Sequence, residues 1–333
     1  MVFKVTCYGV RPNEVSFFNK LNKYGYDLHL VEALTTHDNV EEAEGSDAVI
    51  LRGNCVADRK NLEKFASWGI KYVFTRTVGV NHIDKEAAKE LGLKVAYVPS
   101  YSPNAIAELS LTLAMNLLRH LSYTVNKTSH LNFKVDERMF SKEIRNCNVG
   151  IIGTGRIGVT EAQLFKGLGA TVYGYDIFQS DYAKEFVTFL ELDDLLEKCD
   201  VVSVHVPYLK GKNDKMINAE FISKMKYGAI LINTARGELQ DNAAIVEAIK
   251  SGKLDGFGAD VLANETQYFF KEFRSLEEVP DKTVREMIEL YPKILLTPHV
   301  GSNTDEALSN MIETSFDNLN EVLTTGSLTN YVL

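Results

Sequence analysis

Apolar and polar residues follow one another along this chain in two rhythms. Short apolar runs of strand length alternate with longer stretches in which apolar positions recur every three or four residues. Runs at 3–8, 48–51, 72–75 and 95–98 predict strands, and the amphipathic stretches at 61–68 and 85–91 between them predict helices. Pro99 and Pro103 interrupt regular structure on either side of Tyr101, and Ser102 is placed to cap a long helical run over 104–120. Strands are predicted again at 149–152, 170–175, 201–204, 229–232, 257–260 and 294–296, and a helix over 304–323 closes the chain. Such alternation predicts an α/β protein with parallel sheets.

One strand leads into a specific loop. The run Val149-Gly150-Ile151-Ile152 passes straight into Gly153-Thr154-Gly155-Arg156-Ile157-Gly158, a G-x-G-x-x-G pattern followed by helix-forming residues. In that pattern Gly153 permits a tight turn, Gly155 lets backbone approach a pyrophosphate, and Gly158 lets helix and strand pack closely. The phosphates then lie at the positive end of the helix. Asp176 ends the next apolar run, where a carboxylate can accept the hydroxyls of an adenosine ribose. The same charge repels the extra phosphate of NADP, and Ile177-Phe178 follows with no base to receive one, so NAD is the expected cofactor. The plainer reading of Asp176 is a strand end in water.

Composition sets the frame. The 333 residues, 45% of them hydrophobic, suffice for two domains with separate cores. The expected architecture is a Rossmann-type NAD-binding domain over 101–299, inserted into a smaller flavodoxin-like substrate domain built from 1–100 and 300–333. A cleft between the two would hold a small substrate beside the cofactor. The net charge of -9 argues against general affinity for nucleic acid or anionic membrane. No stretch is long and apolar enough to span a bilayer, and residues 1–7 read as a strand rather than a secretory leader. Cys7, Cys55, Cys147 and Cys199 are scattered, without metal-ligand spacing, so no metal is expected. They read as reduced thiols of a cytoplasmic protein.

Candidate chemistry comes late in the chain. Arg236 and Asp260 stand at or just beyond strand ends, and His299 follows another strand, the edge where ligands bind in open α/β sheets. Hydride transfer to a keto acid needs a cation for the carboxylate, an acid for the carbonyl oxygen and a group that tunes the acid. Arginine suits the first by its planar fork, histidine the second by its near-neutral pKa. A carboxylate such as Glu265 can orient the histidine. Each also has a structural reading: Arg236 as a turn residue, Glu265 as a solvated side chain, Pro298-His299 as a strand end.

With the glycine loop, these segments resemble the D-isomer-specific 2-hydroxyacid dehydrogenase family across nearly the whole chain. The resemblance also rests on Arg76-Thr77-Val78-Gly79-Val80-Asn81-His82-Ile83-Asp84, Tyr101-Ser102-Pro103-Asn104-Ala105-Ile106-Ala107-Glu108 and Ser251-Gly252-Lys253-Leu254. It is nearest to the D-lactate, (R)-2-hydroxyglutarate and (R)-2-hydroxyisocaproate branch. It implies Arg236 on the substrate carboxylate, His299 as acid and base with Glu265 as partner, and Asp260 near the nicotinamide. It further implies Val78 and Gly79 on the carboxylate through backbone N–H groups, and Tyr101 in the substrate pocket. Thr154, Gly155, Arg156 and Ile157 would cover the pyrophosphate, His205 and Pro207 would flank the adenosine, and Thr234 and Ala235 would approach the nicotinamide.

Gln240 departs from the apolar residue many relatives carry, and a local packing change is expected there. Arg52, in Arg-Gly-Asn-Cys, could pair with a distal carboxylate, as in the hydroxyglutarate enzymes; Tyr101 with Tyr268-Phe269-Phe270 could instead wall an apolar pocket. D-lactate dehydrogenase, the commonest activity of the branch, is the first expectation. A cofactor-sensing protein of the corepressor type is the alternative from another class. Family precedent implies a homodimer, with the run at 109–118, apolar on more than one face, as a candidate seam.

Overall fold

The computed structural model describes residues 2–269 and 271–332. The chain divides into two compact units, one formed by residues up to Ser102 and from Asn303 onward, the other by Pro103–Ser302. These limits fall two and three residues beyond those expected from the sequence.

In the first unit, β1 (Lys4–Tyr8), β2 (Asp27–Val31), β3 (Ala48–Leu51), β4 (Tyr72–Thr75) and β5 (Lys94–Ala96) form a parallel sheet in the order β2-β1-β3-β4-β5. β3 is buried at every position, as a central parallel strand covered on both faces must be. One face packs Leu62, Phe65, Ala87 and Ala88 from two helices; the other packs Phe18 and, from the closing helix Asp305–Thr325, Ile312, Phe316 and Leu319. The closing helix thus seals the first unit's core. Thr304 caps it by accepting from the Ala307 N–H, and Gly326 ends it in the left-handed conformation.

The second unit holds β6 (Asn148–Ile152), β7 (Thr171–Tyr175), β8 (Thr188–Phe189), β9 (Val201–Val204), β10 (Ala229–Asn233), β11 (Leu254–Ala259) and β12 (Ile294–Leu296). All pair in parallel, in the order β12-β11-β10-β9-β6-β7-β8. Helix Pro103–Leu118 lies against helix Arg156–Gly167 and against β10 and β11. That contact explains the apolar run at 109–118: Leu113, Ala114, Leu117 and Leu118 belong to the unit's own core. Leu109, Leu111 and Met115 of the same run are only partly buried. Further apolar exposure lies just beyond it, in Leu121, Val125, Leu131, Phe133, Val135 and Phe140. Among the described residues, no helix is long and apolar enough to cross a membrane, and no group of three or more His, Cys, Asp or Glu could hold a metal ion.

Candidate active site and cofactor site

The sheet of the second unit reverses its strand order between β6 and β9, and ligands of open α/β sheets bind beyond the strand C-termini at such a reversal. β6 runs directly into Gly153. A Cβ on Gly153 would stand 2.8 Å from the His205 carbonyl carbon, and one on Gly158 would stand 2.0 Å from the Gly153 oxygen, so both positions demand glycine. Over Gly155 an added Cβ would meet nothing within 4 Å. Gly155 and Arg156 are exposed where helix Arg156–Gly167 begins, with Ile157 in the same turn. The first N–H groups of a helix have no acceptor within it. Open space above them fits a dinucleotide pyrophosphate.

Asp176 follows β7 and is held beside the glycine turn. Its Oδ2 accepts from the Thr154 N–H at 2.6 Å and its Oδ1 from the Phe178 N–H at 3.0 Å. Thr154 is buried with its hydroxyl toward the same carboxylate, while Ile177 and Phe178 project into solvent. His205 follows β9 with its backbone against Gly153, but its side chain is only 2% exposed and turns inward to Glu161. With the imidazole turned inward, its backbone and the exposed Pro207 are what this loop offers to flank a ligand.

The loops after β10, β11 and β12 gather the remaining candidates. Arg236, partly exposed, donates to the Ala235 carbonyl. Beneath it, Asn233 donates to the Arg236 carbonyl at 3.0 Å and to Gln240 Oε1 at 2.7 Å, and accepts from the Ala235 N–H. Gln240 is therefore more than altered packing: it is buried in the polar network that shapes the Arg236 loop. Thr234 is buried with its hydroxyl 2.7 Å from that of Ser110, so its side chain serves the core and the backbone at 234–235 is what can approach a ligand.

His299 sits in a left-handed backbone conformation, φ 53°, which a non-glycine residue keeps only when its surroundings fix it. Asp260 does the fixing. Its carbonyl accepts from the His299 N–H at 3.0 Å. Its carboxylate accepts from the Thr297 hydroxyl, the Val300 N–H and the Gly301 N–H at 2.5–2.9 Å. Burial pushes its pKa above the ordinary carboxylate range, although these donors and His299 pull the other way. With both oxygens engaged and 2% exposure, Asp260 supports the His299 turn. The turn brings His299 Nδ1 to 2.9 Å from Glu265 Oε2 and 3.1 Å from Oε1, with side chains 35% and 24% exposed. An imidazole held by a carboxylate on one nitrogen and reachable from solvent can exchange a proton.

The model of the family described as D-isomer specific 2-hydroxyacid dehydrogenase, NAD binding domain, matches residues 111–301. Full-length relatives agree. The chain is 39% identical to an aromatic 2-oxoacid reductase of Clostridium sporogenes over 98% of each chain. It is 37% identical to a D-lactate dehydrogenase of Lactiplantibacillus plantarum over 97% of each. The chain belongs to the D-isomer-specific 2-hydroxyacid dehydrogenases. Among solved structures it resembles a D-lactate dehydrogenase with NAD+ from Lactobacillus jensenii, with a TM-score of 0.86, 34% identity and 99% of each chain covered. This dehydrogenase is accordingly an NAD-dependent oxidoreductase acting on a CH–OH group.

In the dehydrogenase's first unit, sheet order reverses between β1 and β3, and Arg52 follows β3 at that point. Arg76, after β4, is 2% exposed and locked by Glu14 at 2.8 Å and by the Gly9 carbonyl. Burial, then the neighbouring Arg76 and Arg11, bring the Arg52 guanidinium down to about 10, so it stays charged at neutral pH. Val78 and Gly79 lie in the loop after β4, bent by a bond from the Thr77 hydroxyl to the Gly79 carbonyl. Tyr101 is partly exposed at this unit's end. Phe269 is buried in the second unit's core and Tyr268 packs against it half-buried; Phe270 lies outside the described residues. Cys7 and Cys199 are buried and their thiols pushed up to about 12, so neither is a nucleophile.

The sequence reading missed Glu161. Its signal is its place: buried Gly158, Val159, Glu161, Ala162 and Phe165 form the inner stripe of helix Arg156–Gly167, and an acid stands on that stripe.

Proposed function

We propose that the enzyme reduces a 2-oxo acid to the (R)-2-hydroxy acid, with Arg236 binding the carboxylate and His299 supplying the proton. The His299–Glu265 contact carries this reading, since it couples an accessible imidazole to an orienting carboxylate. NAD supplies the hydride chemistry when bound. Arg236 grips a carboxylate through two parallel N–H donors. His299 delivers its proton to the oxygen that gains charge at C2 and takes it back in the reverse direction. Arg236 and His299 place positive charge where negative charge develops. Glu265 and Asp260 position His299. For the cofactor, the assigned residues are Gly153–Gly158, Asp176, Pro207 and the backbone at 205, 234 and 235. In the first unit, the Val78 and Gly79 N–H groups and Tyr101 are assigned to substrate.

For the substrate side chain, Arg52 supports a second carboxylate, and 2-oxoglutarate is the simplest such acid. A charged guanidinium at a strand-order reversal, with Arg11 and the Glu14-paired Arg76 beside it, favours an anionic group there. Pyruvate, the first expectation, stands as the second reading, supported by the Lactiplantibacillus D-lactate dehydrogenase. The test is NADH oxidation with 2-oxoglutarate, pyruvate, 2-oxoisocaproate and phenylpyruvate, compared by kcat/KM. Preference for 2-oxoglutarate, lost in Arg52→Leu, is the expected result. Preference for pyruvate would return Arg52 to a structural role, and preference for phenylpyruvate would align the enzyme with the Clostridium reductase. NADH binding without turnover on any acid would favour a cofactor sensor.

The exposed apolar side chains between 121 and 140 support a homodimer, since a soluble monomer rarely leaves such a patch open. Sedimentation at micromolar concentration tests it. The four buried cysteines, unpaired with one another, support a reducing compartment such as the cytoplasm.

A further inference from the structure

Glu161 is fully buried. Its Oε2 lies 2.5 Å from Nε2 of His205, whose nitrogen also stands 3.2 Å from the Ser203 hydroxyl. Among the described residues its Oε1 has no hydrogen-bond partner. An acid with one oxygen orphaned in a closed core is an expensive way to gain stability, and an apolar residue would pack there at less cost. What the pair does is fix a position.

The position is the strand-order reversal of the second unit. Glu161 belongs to the helix that follows the glycine turn, and His205 belongs to the loop after β9. Between them, the His205 N–H donates to the Ile152 carbonyl at 2.7 Å, and Gly153 rests directly on the His205 backbone. The glycine turn and the 205–207 loop are therefore joined at the surface by backbone contact and below it by the Glu161–His205 contact. Arg236 and His299 follow β10 and β12, away from β6 in the sheet.

We propose that Glu161 is a positioning residue for NAD binding: through His205 it holds the glycine turn and the loop after β9 at the spacing the dinucleotide requires. This rests on NAD binding by the second unit and not on the choice of 2-oxo acid. Because the reacting groups stand on other loops, losing the pair weakens cofactor affinity and spares the chemical step.

The test compares Glu161→Ala, Glu161→Gln, His205→Ala and Glu161→Ala/His205→Ala with the native enzyme. NADH Kd is read by fluorescence titration, KM for NADH and kcat at saturating NADH by steady-state rates, and folding by thermal melts. Glu161→Ala is expected to raise Kd and KM for NADH by about tenfold, with kcat within about twofold. Glu161→Gln keeps an acceptor facing Nε2 and should recover most of the affinity even if the alanine variant fails to fold. The double variant should bind no more weakly than His205→Ala, because Glu161 acts through His205. A folded Glu161→Ala with native Kd and a reduced Tm would overturn the proposal and make the pair purely structural, as would a folded His205→Ala with native Kd. Independent, multiplying losses in the double variant would also overturn it. Failure of the native chain to bind NADH would instead overturn the cofactor assignment itself.

Discussion

Two glutamate–histidine pairs occupy the second unit, and they differ chiefly in what surrounds them. Glu265 and His299 meet at 2.9 Å with about a third and a quarter of their side chains in solvent, on a turn held from below by Asp260. Glu161 and His205 meet at 2.5 Å with essentially no exposure, inside the core beneath the glycine turn. An imidazole that must hand a proton to a substrate has to be reached, so its partner orients it without enclosing it. One that never meets a reactant can be sealed, and then its partner ties two segments together. The residue types alone do not distinguish the roles; burial does.

This contrast can be broken most severely at the exposed pair. Removing the proton donor in His299→Gln should cost about 10²- to 10⁴-fold in kcat while NADH binding persists. Near-native turnover would take His299 out of the mechanism. Arg236→Lys replaces a fork by a point charge and should lower kcat/KM for the 2-oxo acid by roughly 10²-fold, with unchanged constants refuting the carboxylate role. Glu265→Gln leaves a hydrogen-bonding partner but removes its charge, so kcat should fall by about tenfold, with NADH Kd unaffected. An equal fall in cofactor affinity would erase the distinction between the pairs.

A smaller effect is expected beneath the turn. Asp260→Asn turns an NH2 group toward a backbone N–H and should lower stability by about 1–3 kcal/mol in a denaturant titration. The sign of its pH dependence follows from burial. A carboxylate whose folded pKa is raised contributes stability that is present in acid and lost as pH rises through that value. The advantage of the native chain over Asp260→Asn should thus shrink from acid toward neutral pH; a widening gap would contradict the raised pKa. Smallest is Gln240→Leu, which deletes its bonds to Asn233 and Asn242 and should cost about 0.5–1.5 kcal/mol. A detectable rise in 2-oxo acid KM would show that the network tunes Arg236.

Much of this was legible in the chain. The central strands read as unbroken apolar runs because both faces are covered, so 48–51, 149–152 and 201–204 were plain. β2 was missed because Asp27 and His29 put polar groups on an edge strand, and β8 because two residues make no pattern. Helix Leu121–Ser129 has no buried residue and hence no core-facing stripe to detect; the left-handed His120 separates it from the preceding helix. For the site, motif and strand ends located Arg236, Glu265 and His299. Sequence could not show that Asp260 and Thr234 spend their side chains on their neighbours, because those bonds join segments 37 and 124 residues apart.

One close contact limits what natural variation can try. A Cβ on Gly237 would lie 2.0 Å from the Leu262 carbonyl carbon and 2.1 Å from the Ala263 nitrogen. The strand exits bearing Arg236 and Glu265 are therefore meshed like two gears, tooth against tooth. A substitution that shifts the anion grip also turns the partner of the proton donor, so neither can drift alone. Lineages that change substrate while keeping turnover should vary elsewhere and leave this mesh untouched.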